Sequence, residues 1–163
     1  MNKFKSFLVL LISFILQTSI FAKIDIMGAN LNIIIPAVIA LGQILPNRTG
    51  RVGGLIVGLF EDFLFTSLIG VRALSYYLIG VISSGEFIKL GKDKQTGMLI
   101  CFISTIFNFL LVNGIYYIFG KSLNSITGYL GIEILVEAVF NSLIYLVYYQ
   151  LIKKIMYIPT YRI

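Results

Sequence analysis

Residues 50–85 read GRVGGLIVGLFEDFLFTSLIGVRALSYYLIGVISSG and combine spaced glycines, acidic residues and an apolar turn. In a helix, positions four residues apart lie on one face, so the small and polar residues of this stretch form a stripe. The stripe, which we call the glycine seam, consists of Gly50, Gly54, Gly58, Asp62, Thr66 and Gly70. Glycines at this spacing let another backbone approach closely, which favours helix association inside a membrane. The stretch therefore predicts a helix-packing seam in a membrane protein.

The composition of the whole chain indicates an integral membrane protein. Its 163 residues are 58% hydrophobic and 12% charged, and the mean hydropathy is +0.95. Soluble domains contain about 25% charged residues, so these values lie far outside the soluble range. The apolar residues occur in long blocks with short charged connections, which leaves no stretch for a soluble domain. We therefore expect one membrane domain over residues 1–163.

Six apolar blocks predict an all-α bundle of six transmembrane helices. Their approximate bounds are 4–22, 26–45, 51–67, 71–88, 98–120 and 126–152. A cleaved signal peptide is the alternative for the first block, but its length and the apolar segments after it favour a retained helix. The third and fourth blocks must be separate helices, because one continuous helix would exceed the hydrocarbon thickness. Asn30, Asn32 and Pro36 predict that the second helix is kinked or partly unwound in its middle.

The distribution of Lys and Arg predicts that both termini are cytoplasmic. With six spans, the termini and the second and fourth connections lie on one side of the membrane. That side carries ten basic residues, Lys3, Lys5, Arg48, Arg51, Lys89, Lys92, Lys94, Lys153, Lys154 and Arg162. The other side carries three, Lys23, Arg72 and Lys121. Because cytoplasmic loops are enriched in Lys and Arg, the net charge of +6 indicates membrane orientation rather than nucleic-acid binding.

Polar residues within the predicted spans each require a structural or functional reason. They are Glu61, Asp62, Asn108, Asn113, Glu133, Glu137 and Asn141. An ionised carboxylate inside a membrane costs about 3 kcal/mol on insertion scales, so such groups pair, face the bundle interior or become protonated. We expect no cation to pair with them, since Arg72 and Lys121 are placed at outer helix ends. Two interpretations stay open: hydrogen bonds that join helices three, five and six, or translocation of protons or a substrate.

Catalytic and metal-binding classes have little support in the sequence. The chain contains no His, which is the commonest general base and metal ligand. Cys101 is the only cysteine, so a disulfide within the chain is excluded and the residue is interpreted as a small hydrophobic one. The glycines of the seam lack the Lys-Ser or Lys-Thr pair that completes a phosphate-binding loop. We therefore expect no enzyme activity, no cofactor and no bound metal.

The middle of the chain resembles the MreD family of rod shape-determining membrane proteins. In that family a basic turn leads into a helix of the pattern G-x-x-x-G-L-x-x-D, then a Leu-Gly turn and a second helix. The matching residues here are Arg51, Gly54, Gly58, Leu59, Asp62, Gly70, Ala73, Leu74 and Gly80, with Glu137, Ala138 and Asn141 in the last helix. The second helix departs from the family pattern, because Asn32 precedes its apolar run and Pro36 comes later. We expect the seam and Gly80 to form an interface, either within the bundle or with a partner helix.

The resemblance implies a non-enzymatic scaffold of the elongation complex (elongasome) in the bacterial inner membrane, needed for cell shape and lateral peptidoglycan synthesis. The implied partners are membrane lipids and an MreC-like single-span protein, and indirectly an MreB-like actin homologue and peptidoglycan synthases. The family also resembles the six-helix substrate-binding components of vitamin-uptake transporters. Small-molecule uptake is therefore the alternative, with a site expected near the outer helix ends at Asn30, Asn32, Lys121 and Asn124.

Overall fold

A computed structural model of the chain describes residues 2–45, 48–85, 91–120 and 131–156. The α-helices in these residues are α1 (Asn2–Ser19), α2 (Ile34–Ile44), α3 (Thr49–Phe65), α4 (Val71–Ser84), α5 (Lys94–Ile118) and α6 (Ile132–Ile155). A short 3-10 helix, Phe21–Lys23, follows α1, and the strands β1 (Asp25–Ile26) and β2 (Ala29–Asn30) pair as an antiparallel hairpin. The predicted helical class is confirmed, with this small hairpin as an addition.

Three of the described helices are long and apolar enough to cross a membrane. They are α1 together with its 3-10 extension, α5 and α6. The apolar helices α2 and α4 are shorter. The 11 residues of α2 extend about 16 Å, which is roughly half the hydrocarbon thickness. Helix α2 is therefore too short to cross the membrane as a continuous helix.

Helix α2 lies at the centre of the bundle. It packs against each of the other five described α-helices, and its residues from Ile34 to Leu41 are completely enclosed. A helix that is apolar on every face can be enclosed by other helices without burying unpaired polar side chains, so its composition permits this central position. The surrounding helices keep apolar side chains on the outside, and Phe63 of α3, for example, is 72% exposed. In a membrane these outer side chains face lipid.

The segment before α2 differs from the prediction of a helix over 26–45. Met27 and Gly28 both have positive φ angles, 55° and 87°, as the central residues of a type I′ hairpin turn require. Asp25 Oδ1 accepts a hydrogen bond from the N–H of Gly28 at 2.7 Å, which stabilises the turn. Helix α2 begins only at Ile34. Pro36 consequently lies in its first turn, where a missing N–H costs no helical hydrogen bond. Of the two predicted alternatives, the predicted helix is therefore partly unwound, before Ile34, and is not kinked at Pro36.

Gln17 of α1 holds the extended segment that leads into α2. Its Nε2 donates to the carbonyl oxygen of Leu31 at 2.9 Å, and its Oε1 accepts from the N–H of Ile33 at 2.9 Å. Asn32 Oδ1 accepts from the N–H of Ile34 at 3.1 Å. These bonds pair backbone groups of Leu31 and Ile33, which belong to no helix or strand, and the N–H of Ile34, which has no partner within the first turn of α2. Helix α1 is thus bonded to the core as well as packed against it.

Two contacts place the start of α1 beside the end of α6. Lys5 Nζ donates to the carbonyl oxygen of Ile155 at 2.8 Å. Deeper in the bundle, the hydroxyl groups of Ser13 and Tyr148 form a hydrogen bond of 2.6 Å. We call this end of the molecule the basic end, since it carries Lys3, Lys5, Arg48, Arg51, Lys153 and Lys154.

Helix α5 begins with a side-chain cap outside the apolar region. The Asp93 carboxylate accepts hydrogen bonds from Thr96, at 2.7 Å from its hydroxyl group and at 3.2 Å from its backbone N–H. These bonds lower the pKa of Asp93, because they favour the charged form of the carboxyl group. Asp93 is a typical N-cap residue in this geometry.

Candidate functional site

The glycine seam of α3 lies against α2 and α4. A Cβ atom on Gly54 would lie 2.6 Å from the carbonyl oxygen of Tyr76 in α4, and one on Gly58 would lie 2.6 Å from Ala73 Cα. A Cβ atom on Gly50 would lie 2.6 Å from Gly42 Cα in α2. These neighbours are backbone atoms, which cannot rotate aside as side chains can. The helices therefore approach so closely that glycine alone fits at these positions.

Gly80 lies within α4 and Gly70 directly precedes it, and the two glycines have different roles. A Cβ atom on Gly80 would lie 2.5 Å from Arg51 Cα, so Gly80 packs on α3 from the opposite side of the same contact. Gly70 precedes α4 with φ 103°, a backbone conformation that residues other than glycine rarely adopt. The described seam is thus occupied within the chain by α2 and α4. Gly50, Gly54 and Gly58 are therefore not open to a helix from another protein.

Asp62 of α3 caps the beginning of α4. The residue is completely buried, and its Oδ2 accepts hydrogen bonds from the backbone N–H groups of Gly70, Arg72 and Ala73 at 2.9, 2.9 and 3.2 Å. Its Oδ1 accepts from the Thr66 hydroxyl group at 3.3 Å. A carboxylate at this position pairs the free N–H groups of the first turn and interacts favourably with the helix dipole. Asp62 therefore bonds α3 to α4, whereas we expected it to bond to helices five and six.

Glu61 is paired with a cation, so the expectation that no cation would pair with the acids was wrong for this residue. Its Oε1 lies 3.0 Å from Arg72 Nη1. The Tyr76 hydroxyl group donates to Glu61 Oε2 at 2.7 Å, and Asn32 Nδ2 donates to that hydroxyl oxygen at 2.7 Å. The turn between α3 and α4 places Arg72 beside Glu61, which the positions of the two residues in the sequence do not reveal. The network joins α3, α4 and the segment before α2.

The Glu61–Arg72 pair is expected to show charge coupling. Arg72→Gln leaves the Glu61 carboxylate, 5% exposed, without its cation. Breaking a fully buried pair costs about 3–5 kcal/mol, and we expect less here because the Arg72 side chain is 34% exposed. The variant Glu61→Gln/Arg72→Gln removes both charges and should recover most of the loss. Thermal unfolding in detergent measures the difference, and a double variant less stable than Arg72→Gln would contradict the coupling.

Polar residues near the middle of the bundle join α5 to α6. Asn141 Nδ2 donates to the Thr105 hydroxyl oxygen at 3.2 Å and to Glu137 Oε1 at 3.5 Å. Cys101 is buried, and its Sγ donates to the carbonyl oxygen of Asn141 at 3.4 Å. Cys101 thus occupies the core position that its apolar surroundings predicted. Asn141 therefore contributes to the association of α5 with α6, whereas the bond of Glu137 lies within α6.

Two further asparagines of α5 differ in their contacts. Asn108 Oδ1 accepts a hydrogen bond of 2.7 Å from the Ser75 hydroxyl group and thereby joins α5 to α4. Asn113 Nδ2 donates to the carbonyl oxygen of Phe109 in its own helix at 2.8 Å. Of these two residues, Asn108 therefore contributes to contact between helices.

Glu133 lies apart from the other acids, in the first turn of α6. Its Oε1 would lie 2.6 Å from a Cβ atom on Gly28, so the side chain packs against the hairpin turn. Its Oε2 has no hydrogen-bond partner among the described residues. Asn32, expected at a small-molecule site, is bonded to Tyr76 instead. Lys121 and Asn124, expected at that site, lie outside the described residues.

These contacts define a helical membrane bundle in which Glu61, Asp62 and Asn141 bond one helix to another. No group of three or more His, Cys, Asp or Glu residues that could hold a metal ion is found in the described ranges.

The comparison with known families agrees with this class. The family model for rod shape-determining protein MreD matches residues 1–155. The chain therefore belongs to the MreD family, and the resemblance found in the sequence is confirmed. Membership implies a role in rod-shape determination. No curated protein and no solved structure is significantly similar to the chain.

Proposed function

We propose that the protein is a non-enzymatic scaffold subunit of the elongation complex in the bacterial inner membrane. The observation that carries this proposal is the match to the MreD family over residues 1–155. The structure supports it through Glu61 and Asp62, whose carboxylates bond α3 to α4. Side chains committed to such contacts stabilise a rigid bundle and do not form a transport path.

In this proposal the bundle binds an MreC-like single-span protein and, through it, an MreB-like actin homologue and peptidoglycan synthases. Partners held on one membrane protein gain a high effective concentration for one another, which promotes assembly without any chemical step. The partner helix packs on outward apolar side chains, since Gly54 and Gly58 already contact α4. Lateral peptidoglycan synthesis and cell shape then depend on the assembly.

Depletion and purification test the scaffold function. Depleting the protein in a rod-shaped host should give rounded cells, because the other subunits lose their common attachment. Affinity purification of the tagged chain should recover an MreC-like single-span protein. A variant with an outward substitution distant from the seam, such as Ile103→Val at a 64% exposed position, serves as the control and should restore rod shape.

Opposite results would support the alternative function. Rod shape after complete depletion, together with saturable binding of a vitamin to the purified protein, would contradict the scaffold and support an uptake component. Fluorescence microscopy and equilibrium binding to the detergent-solubilised chain measure the two properties.

We further propose six membrane crossings with both termini in the cytoplasm. The contact between Lys5 and Ile155 supports this, because it requires the start of α1 and the end of α6 to lie at one end of the bundle. The ten-to-three distribution of Lys and Arg assigns that end to the cytoplasm. The shorter helices α2 and α4 would then cross together with the segments adjoining them.

Topology reporters test this arrangement. Alkaline phosphatase fused after Ile163 should be inactive, because the enzyme requires export for activity. In whole cells a cysteine introduced by Asp25→Cys should react with an impermeant thiol reagent, and the buried Cys101 provides the unreactive control. An active fusion or a protected Cys at position 25 would contradict the arrangement.

A further inference from the structure

A cleft of about 1070 Å³ lies between α1 and α3 on the side of the bundle. Its walls are apolar side chains from both helices, Phe7, Leu11 and Phe14 on α1 and Val52, Ile56 and Phe60 on α3. Basic residues line the end of the cleft that coincides with the basic end of the molecule. They are Lys3, Arg48 and Arg51. The cleft therefore has an apolar body and a cationic mouth.

The length of the cleft matches one leaflet of a bilayer. It follows α1 from Lys3 to Phe14 and α3 from Arg48 to Phe60. At 1.5 Å per residue this is about 17 Å, roughly half of the 30 Å hydrocarbon core. A transmembrane helix of a partner extends over the full thickness, so about half of its length would lie beyond this cleft. A lipid needs contact over one leaflet, so the cleft suits acyl chains better than a helix.

The charges at the mouth favour an anionic headgroup. Lys3 and Arg48 are exposed there, and no acidic residue is among the described residues that line the cleft. Basic side chains at the membrane surface attract anionic lipids. Helix α3 also begins at this point, and the side chain of its N-cap residue, Arg48, makes no capping hydrogen bond among the described residues. The positive end of the helix dipole at this point also favours a phosphate oxygen.

We propose that this cleft binds one anionic phospholipid, with its acyl chains between α1 and α3 and its phosphate at Lys3, Arg48 and the beginning of α3. The lipid contacts two helices that otherwise leave a space between them, so it stabilises the position of α1 in the bundle. The proposal does not depend on which protein partners the chain has.

Binding of defined lipids to the purified full-length chain tests the proposal. In native mass spectrometry phosphatidylglycerol should be retained, and it should raise the unfolding temperature, since a ligand that binds the folded state stabilises it. Phosphatidylcholine, which has no net charge, should bind more weakly. Lys3→Gln/Arg48→Gln should weaken phosphatidylglycerol binding about tenfold or more, as the loss of two surface cations predicts.

A matched control distinguishes lipid binding in the cleft from a general effect of the positive charge at the basic end. Lys153→Gln/Lys154→Gln removes the same charge from two exposed residues at the same end and should leave binding unchanged. Val52→Trp fills the cleft from an exposed position without a change in charge. It should reduce lipid binding while the lipid-free protein unfolds at an unchanged temperature.

Three results would overturn the proposal. Equal binding of the two lipids would show that the headgroup charge is not recognised. Equal effects of the two double variants would show that the lipid does not bind specifically at Lys3 and Arg48. Displacement of phosphatidylglycerol by the transmembrane peptide of a single-span protein, with loss of peptide binding in Val52→Trp, would assign the cleft to a helix instead.

Discussion

Asp62→Ala should lower the free energy of unfolding by at least about 3 kcal/mol, because each buried N–H group left without an acceptor costs about 1–3 kcal/mol. The groups concerned are the backbone N–H groups of Gly70, Arg72 and Ala73, which share the Asp62 carboxylate. Asp62→Asn keeps the shape of the side chain and one oxygen acceptor, so its free energy of unfolding should fall less. Chemical denaturation of the chain in detergent measures both variants.

The exposed cap at Asp93 provides the matched control for Asp62. Asp93 also accepts a backbone N–H at the start of a helix, that of Thr96, but water can replace its carboxylate. Asp93→Ala should therefore destabilise the protein much less than Asp62→Ala. If both variants lost the same free energy of unfolding, the conclusion that the buried bonds of Asp62 between α3 and α4 stabilise the protein more than the exposed cap at Asp93 would be contradicted.

Gly58→Ala should destabilise the protein by about 1–3 kcal/mol, the range found for overpacked interiors. The added methyl group would lie 2.6 Å from Ala73 Cα and 2.7 Å from Ala73 N, so α3 and α4 would have to separate. Gly58→Leu should destabilise the protein more than Gly58→Ala. It should also reduce recovery of the single-span partner and restoration of rod shape. Unfolding temperature, copurification and microscopy measure these effects.

Gly114→Ala in α5 is the control for the seam. A Cβ atom on Gly114 meets no described atom within 4 Å, and alanine favours a helix over glycine by about 1 kcal/mol. This variant should be as stable as the unmodified protein or slightly more stable. Leu55→Phe should also be tolerated, because Leu55 faces outward. If Gly58→Ala were as stable as Gly114→Ala, α3 and α4 would not approach as closely as the structure shows.

Helix positions could be predicted well where apolar residues and connections alternate clearly. The predicted helices 51–67 and 71–88 correspond to Thr49–Phe65 and Val71–Ser84, with the turn near Gly70 where the pattern placed it. The predicted helix 98–120 corresponds to Lys94–Ile118, and the observed start is earlier because Asp93 caps it. These features depend on residues close together in the sequence.

The predicted helix was wrong where a segment contains many apolar residues but also residues that favour a turn. The apolar pattern predicts a helix over residues 26–33, although Gly28 favours a turn and Asn32 disfavours a helix interior. The hydrogen-bond partners of Gln17 could not be predicted from its neighbours in sequence, because Leu31 and Ile33 belong to a different segment. A polar side chain in an apolar helix was the available indication that a bonding partner was needed.

The sequence by itself determined the membrane location, the approximate helices and the spacing of Gly50, Gly54 and Gly58, because composition and periodicity are properties of short stretches. The tertiary structure alone decided that α2 is the central helix, that Asp62 caps α4 and that Arg72 pairs with Glu61. It also placed the cleft between α1 and α3. Those outcomes depend on which helices are neighbours. The apolar pattern of the sequence is compatible with many arrangements of the helices, and only the close contacts between helices distinguish one arrangement from another.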